Sequence, residues 1–273
     1  MTTRRPAVMV ASAAWVRAAM QTWIRKMETC MGVTVEIDSK IFVHTEQIVN
    51  GIRGGRLNAA ALNVLEFRPI ADLFDSSAII VGAGTSGPDE YVLLARRDSD
   101  CKRLPHLRGK RVSMWTAPKM CVAQAWLATL LEEEHPGSAE EFFGTVIPSG
   151  KISAVVLPVF FKQTDACVAS RRGFEMMCEL NPQIARELSA IAISPLLTTC
   201  FYAFRKGFHG ATRDRFTSLH STLLSGLAGK QLATLFQFDD LTVRDTSCVA
   251  SSLSLLDRAD RVHTRLTAAG HKG

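Results

Sequence analysis

The chain alternates short apolar segments with segments whose apolar residues recur at helical spacing, and this alternation constrains the fold most. RVSMW at 111–115 and DACVAS at 165–170 have the composition of buried strands. By contrast, Val122, Trp126 and Leu130 recur at the spacing of one helical face. Strands that alternate with amphipathic helices are typical of layered α/β proteins, so the sequence predicts an α/β fold.

The same pattern predicts elements along the rest of the chain. Further strands are predicted at 7–11, 33–38, 57–63, 76–84, 91–97 and 143–149, and two more within 188–207. Helices are predicted at 13–29, 44–51, 65–74, 172–183, 211–225, 228–236 and 251–266, and the segment 152–163, which contains Pro158, fits a helix or a buried segment. The polar stretch 98–110, punctuated by Pro and Gly, is predicted to cross between two lobes.

Charge and composition narrow the class of partner. The net charge of +6 favours anionic partners, but the Lys and Arg residues are scattered and form no basic block. This distribution suits a small anionic solute better than nucleic acid, and we predict no nucleic-acid binding. No apolar run approaches the roughly 20 residues that span a bilayer, so no membrane span is predicted.

Motifs of common enzymes and metal sites are missing from the sequence. The seven cysteines form no CxxC pair, the histidines form no HExxH or HxH pattern, and no GxSxG elbow occurs. Gly82, Gly84 and Gly87 spell GxGxxG, but Pro88 and a new strand follow where a dinucleotide site needs a helix. We therefore predict no metal, no cofactor and no enzyme activity. The sequence leaves open a catalytic triad of Ser, His and Asp residues that lie far apart in the chain.

Candidate ligand contacts lie where predicted strands end and helices begin. Exposed amides at a helix N-terminus suit an anion, and three such turns carry donor side chains. These candidates are Thr116 and Lys119, then Lys151, then Ser170 and Arg171. Ser12 and Trp15 follow the predicted strand at 7–11 and Trp115 ends the one at 111–115, at the edge where open α/β sheets bind ligands. The competing interpretation is that these residues are helix caps and packed tryptophans.

Four segments, taken together and in order, resemble one known family. The segments are YVLLARRDSDCKRLPHLRGKRVSMW at 91–115, DACVASRRGFEMMCELNPQ at 165–183, GGRLNAAALNVLEF at 54–67 and AGKQLATLFQFDDL at 228–241. They are similar to segments of the phosphate/phosphite/phosphonate (PhnD-like) substrate-binding proteins of ABC transporters. That family implies a type II periplasmic-binding fold, in which two α/β lobes joined by two crossover strands close on a ligand in the cleft between them. With the pattern of elements, it predicts lobe 1 at 1–95 and 196–273, and lobe 2 at 96–195.

The resemblance also implies ligand contacts. The family grips the phosphonyl group with a Ser/Thr-rich turn, which matches Thr116 to Cys121 here but holds one hydroxyl, a proline and Lys119. The family's turn is expected to read Ser-Thr-Ser-Gly, and replacing its neutral donors with the charge of Lys119 suits an anion other than phosphonate. The first-lobe ligand loop matches Asn63 and Glu66, followed by Phe67, and a family histidine falls near Lys151.

The predicted function is capture of phosphate, phosphonate or a related oxyanion by hinge closure, for delivery to an ABC permease by a monomeric protein. The family implies a periplasmic location. The N-terminal segment is a poor match to a signal peptide, so either an export signal is missing from this chain or the protein stays in the cytoplasm, and the odd cysteine count fits a reducing compartment. A stand-alone or cytoplasmic ligand sensor with the same fold is therefore the alternative, and an enzyme on this scaffold is a third hypothesis.

Overall fold

The computed structural model describes residues 44–83, 87–132, 139–218, 230 and 240–270. The predicted elements at 7–11, 13–29 and 33–38, and nearly all of 228–236, lie outside these residues. The described strands are β1 Ala59–Asn63, β2 Phe74–Ala83, β3 Tyr91–Arg96, β4 Arg111–Trp115, β5 Thr145–Ser149, β6 Ala166–Ser170, β7 Leu188–Ile193, β8 Cys200–Arg205 and β9 Asp240–Arg244.

The helices agree with most of the predicted positions. They are α1 Thr45–Arg53, α2 Val64–Phe67, α3 Ala123–Leu131, α4 Ala139–Phe142, α5 Ser153–Phe160, α6 Arg171–Leu180, α7 Pro182–Glu187, α8 Ala211–Ser218 and α9 Ala250–Gly270. The single helix predicted at 65–74 is instead the short α2 followed by a 3-10 turn over Arg68–Leu73. Pro158 lies inside α5, which nevertheless forms as predicted.

The described residues divide into two compact units, and both units are assembled from separate stretches of chain. The first contains 44–62, 69–83, 87, 201–218, 230 and 240–246; the second contains 63–68, 88–132, 139–200 and 247–270. Within the described part of the first unit, four strands form a sheet in the order β1-β8-β2-β9. Strand β2 runs antiparallel to both β8 and β9.

The second unit has a mixed sheet in the order β5-β4-β6-β3-β7 across its described strands. Strand β4 runs parallel to β5 and β6, while β3 runs antiparallel to β6 and β7. Every residue of β6 and the first five residues of β3 are buried, as expected for central strands that are apolar throughout. Helices α5 and α6 pack against this sheet.

Two predicted boundaries differ from the structure. The stretch 98–110 was predicted to cross between lobes, but it joins β3 and β4 of the same sheet and is wrong as a crossover. The C-terminal helix was predicted in lobe 1, but α9 packs against α3 and belongs to the second unit. Strand β3 likewise belongs to the second unit, because it pairs with β6 and β7.

Candidate functional site

Three predicted turns lie at one edge of the second unit's sheet. Strands β4, β5 and β6 are parallel, so their carboxyl ends, Trp115, Ser149 and Ser170, meet at the same edge; Trp115 is in register with Ser149. Strand β3 is antiparallel and therefore begins at this edge, with Tyr91 paired to Ser170. The topology thus brings together the turns that the sequence predicted, and it adds the segment that enters β3.

The turn after β4 is held by hydrogen bonds from distant parts of the chain. The Thr116 amide donates to the Ser149 carbonyl (2.9 Å). The Lys119 carbonyl accepts from the hydroxyl of Tyr91 (2.6 Å) and from that of Thr199 (3.1 Å). Because a carbonyl oxygen has two lone pairs, these two donors use its full capacity and fix the backbone at Lys119.

The Lys119 side chain is positioned between an aromatic ring and a carboxylate. Its Nζ lies 5.0 Å from the centre of the Trp115 ring and 3.8 Å from Oδ2 of Asp89. The side chain remains 34% exposed, so it is not fully enclosed by the protein. The Trp115 indole is buried and donates to the Gly150 carbonyl (3.2 Å), which favours a packing role that supports Lys119 over a direct ligand contact.

The predicted third turn is engaged by the protein's own acceptors. At the start of α6, the Arg171 amide donates to the Glu90 carbonyl (2.7 Å), the Arg172 amide to Asp89 Oδ1 (3.3 Å) and the Gly173 amide to Ser170 Oγ (3.1 Å). Ser170 is fully buried. These contacts favour a capping role for Ser170 over the predicted ligand contact.

Two acidic residues at this edge were missed by the sequence analysis. Asp89 and Glu90 directly precede β3, and the Glu90 carboxylate forms an ion pair with the Arg171 guanidinium. The backbone of Asp89 is fixed by reciprocal hydrogen bonds with Leu197 (3.0 and 2.9 Å). The edge therefore carries carboxylates beside its cations, and an acidic pair just before an apolar strand was the available signal.

The remaining predicted contacts have mixed outcomes. Asn63 and Glu66 form the capping box of α2: Asn63 Oδ1 accepts from the Leu65 and Glu66 amides, and Glu66 Oε2 accepts from the Asn63 amide (2.9 Å). This pairing favours a local structural role. The side chains of Thr116 and Lys151 are exposed at the edge. Ser12 and Trp15 lie outside the described residues.

The buried protonatable groups near the turn keep their protons at neutral pH. Burial raises the pKa of the Tyr91 hydroxyl, which therefore stays a donor to the Lys119 carbonyl. Burial also raises the pKa of the Cys121 thiol to about 12, and the neighbouring Cys200 adds to this effect. Since the thiolate is the nucleophilic form, Cys121 is not activated for catalysis.

The described residues contain neither a cluster of metal ligands nor a helix that could span a membrane. In the described ranges, no group of three or more His, Cys, Asp and Glu side chains is arranged to hold a metal ion. The helices in this part of the chain are also too short or too polar to cross a bilayer. The six cysteines that the structure describes are free thiols.

The chain is divided into two α/β units, and the second has a mixed sheet with helix-starting turns and a cation at one edge. This architecture is the type II periplasmic-binding-protein fold, which solved structures share. The chain belongs to the family of periplasmic substrate-binding proteins of ABC phosphonate transporters, because the family's model matches residues 8–246. It is thus a solute-binding protein of the ABC-transporter type, as the sequence predicted. None of the curated proteins matches the chain.

Solved structures with this fold share little sequence with the chain. The binding protein of an ABC phosphonate transporter from Pseudomonas aeruginosa has a TM-score of 0.60 at 15% identity, covering 95% of this chain and 86% of its own. XAC2383 from Xanthomonas citri, bound to ATP, has a TM-score of 0.61 at 15% identity, covering 90% of this chain and 93% of its own. PhnD1 from Prochlorococcus marinus, in complex with methylphosphonate, has a TM-score of 0.56 at 14% identity, covering 94% of each chain. At these identities the likeness concerns the fold alone.

Proposed function

We propose that this protein binds a small phosphonate-class oxyanion in the periplasm at the edge formed by the ends of β4 and β5, and delivers it unchanged to an ABC permease. The observation that carries this proposal is the Lys119 ammonium, which lies beyond the end of β4 on a backbone fixed by two hydroxyls. A partly exposed cation on a fixed backbone provides a charge-assisted hydrogen bond to an oxyanion. The family's transport role, and the methylphosphonate bound to PhnD1, indicate the ligand class.

Lys119 supplies a single charge where the family's turn supplies hydroxyls. The exposed Thr116 hydroxyl and the Lys151 ammonium are the further donors that we assign to the ligand. Capture by hinge closure, which the family implies, stays a prediction.

The first experiment is a ligand screen by thermal unfolding, with phosphate, phosphite, methylphosphonate, methanesulfonate and acetate. A ligand that binds the folded state at a hundredfold excess over its Kd stabilises the protein by about 2.7 kcal/mol. We expect methylphosphonate to raise Tm and acetate to leave it unchanged. Phosphorus NMR of the bound ligand after long incubation tests turnover, and a converted ligand would reject the pure binding role.

The second experiment compares two lysine variants by calorimetric titration with methylphosphonate. Lys119→Ala removes the cation at the carboxyl end of β4, and Lys110→Ala removes an exposed lysine just before the same strand begins. Because a hydrogen bond to a charged group contributes about 1.5–3 kcal/mol, we expect Lys119→Ala to weaken binding about 10- to 100-fold. Lys110→Ala should bind like the wild type. Equal affinities for both variants would exclude Lys119 from the site.

A further inference from the structure

The Asp89 carboxylate has one satisfied oxygen and one unsatisfied oxygen. Oδ1 accepts from the Glu90 amide (2.9 Å) and from the Arg172 amide (3.3 Å). Oδ2 is fully buried and accepts no hydrogen bond from any described residue. A buried acceptor without a hydrogen bond lowers the stability of the folded protein by about 1–3 kcal/mol, and by more when it is charged. The presence of such an oxygen at this edge therefore calls for an explanation.

The nearest cation does not satisfy this oxygen. Lys119 Nζ lies 3.8 Å from Oδ2, which is close enough for charge attraction but too long for a hydrogen bond. Asp89 cannot move toward it easily, because its backbone is bridged to Leu197 and its Oδ1 is held at the start of α6. Glu90 and Arg171, which also lie at this end of the edge, pair with each other.

Lys119 and Asp89 together therefore present one donor, carried on a fixed backbone, beside one fixed acceptor. A sulfonate, or a phosphonate ester, offers only acceptor oxygens, so one of them would face Oδ2 without a proton between them. A phosphonate monoanion carries an acidic O–H, which donates to Oδ2 while a second oxygen accepts from Nζ. Because Oδ2 is buried beside it, the partly exposed Lys119 side chain shifts to admit the ligand, while its backbone stays held.

We infer that Asp89 selects oxyanions that carry an acidic O–H, and that it rejects sulfonates and phosphonate esters. This inference rests on the proposed function, since it assigns Asp89 to the same ligand as Lys119. Sites that hydrogen-bond a ligand hydroxyl discriminate strongly against analogues without one, because their polar group is then left unpaired. The Asp89 carboxylate is thus a specificity-determining group rather than a source of affinity for anions in general.

Three probes of equal charge test the inference on the wild-type protein. They are methylphosphonate, methanesulfonate and the monomethyl ester of methylphosphonate, titrated by calorimetry at a mildly acidic pH where methylphosphonate is a monoanion. We expect methylphosphonate to bind at least about tenfold more tightly than the other two, the equivalent of about 1.4 kcal/mol. Equal binding of all three would overturn the inference and leave the proposed function standing. Binding of none would overturn both.

A matched pair of variants identifies the group responsible. Asp89→Asn keeps the shape and the oxygen that the two amides contact, but replaces Oδ2 with an N–H₂ donor. The preference for methylphosphonate should then fall to within about threefold, with a gain in methanesulfonate affinity. Asp98→Asn, beyond the other end of β3, should keep the wild-type preference. If Asp89→Asn weakens all three probes equally, Asp89 is structural and the inference fails.

Discussion

The Lys119 carbonyl shows how one backbone group positions a side chain. Tyr91 and Thr199 lie far from Lys119 in the sequence, yet both hydroxyls converge on its oxygen. Tyr91 is 1% exposed, so its hydroxyl cannot turn to water instead. Removing this donor would loosen the turn without changing any charge at the edge.

We therefore predict that Tyr91→Phe lowers the free energy of unfolding by about 1 kcal/mol and weakens methylphosphonate binding less than Lys119→Ala does. The physical reason is that the Lys119 carbonyl keeps Thr199 as a donor, so only one of its two hydrogen bonds is lost. Urea denaturation and calorimetric titration measure the two effects. The control is Tyr202→Phe, whose hydroxyl makes no hydrogen bond within the described residues. A larger loss of unfolding free energy in Tyr202→Phe than in Tyr91→Phe would contradict the role assigned to the Tyr91 hydroxyl.

Local sequence signals identified some of these residues and not others. Lys119, Thr116 and Trp115 were predicted because each lies at or just after the end of an apolar strand, which the sequence shows directly. Tyr91, Thr199 and Asp89 were missed because their roles depend on contacts across the fold. Asn63 was predicted as a ligand contact, but its own neighbours explain it, since N-capping needs only the residues two and three positions ahead.

At the scale of elements, the apolar pattern predicted which segments form strands but not how they pair. The pattern found β3, β4 and β6 nearly to the residue, because side-chain periodicity is a local property. It gave no sign that β3 inserts antiparallel between β6 and β7, which is a long-range choice. This insertion brings Asp89 and Glu90 to the candidate site.

The first unit provides an element-scale prediction about pH. Asp75 near the start of β2 forms an ion pair with Arg213 of α8, and both side chains are largely buried. The Ser77 amide, together with the Ser77 hydroxyl and Arg213, holds the pKa of Asp75 well below its ordinary value, against the opposing effect of burial. Asp75→Asn would leave the Arg213 guanidinium buried without its charge partner, a change that typically costs about 3 kcal/mol or more.

We expect this loss of unfolding free energy to be complete at neutral pH and to shrink in acid. Because the folded pKa of Asp75 is depressed, its stabilisation is fully present above the unfolded value of about 3.9 and is lost as the pH falls through the folded value. Urea denaturation of both proteins from neutral pH to below about pH 4 measures the difference. Asp98→Asn, which alters an ion pair whose carboxylate is 51% exposed, should cost much less. A difference independent of pH would contradict the role of the Asp75 charge.

At the scale of the whole molecule, the C-terminal helix supports the candidate site from a distance in sequence. Helix α9 packs on α3, and its Arg258 and Arg265 both form ion pairs with Glu132 (2.9 and 2.7 Å). Near its start, the Ser252 hydroxyl donates to the Thr198 carbonyl (2.8 Å). Thr198 directly precedes Thr199, whose hydroxyl donates to the Lys119 carbonyl. Helix α9 therefore stabilises the segment that holds the turn after β4.

A chain ending at Thr246 should therefore lose both the stability of the second unit and ligand binding. Leu255, Leu256 and Val262 are buried on α9, and each such side chain contributes about 1.5–3 kcal/mol. Their sum is comparable to the roughly 5–15 kcal/mol that stabilises a typical domain. A chain ending at Gly270 is the control and should unfold and bind like the full chain. If the Thr246 chain keeps the full-length urea midpoint and methylphosphonate affinity, α9 is an appendage rather than part of the second unit's core.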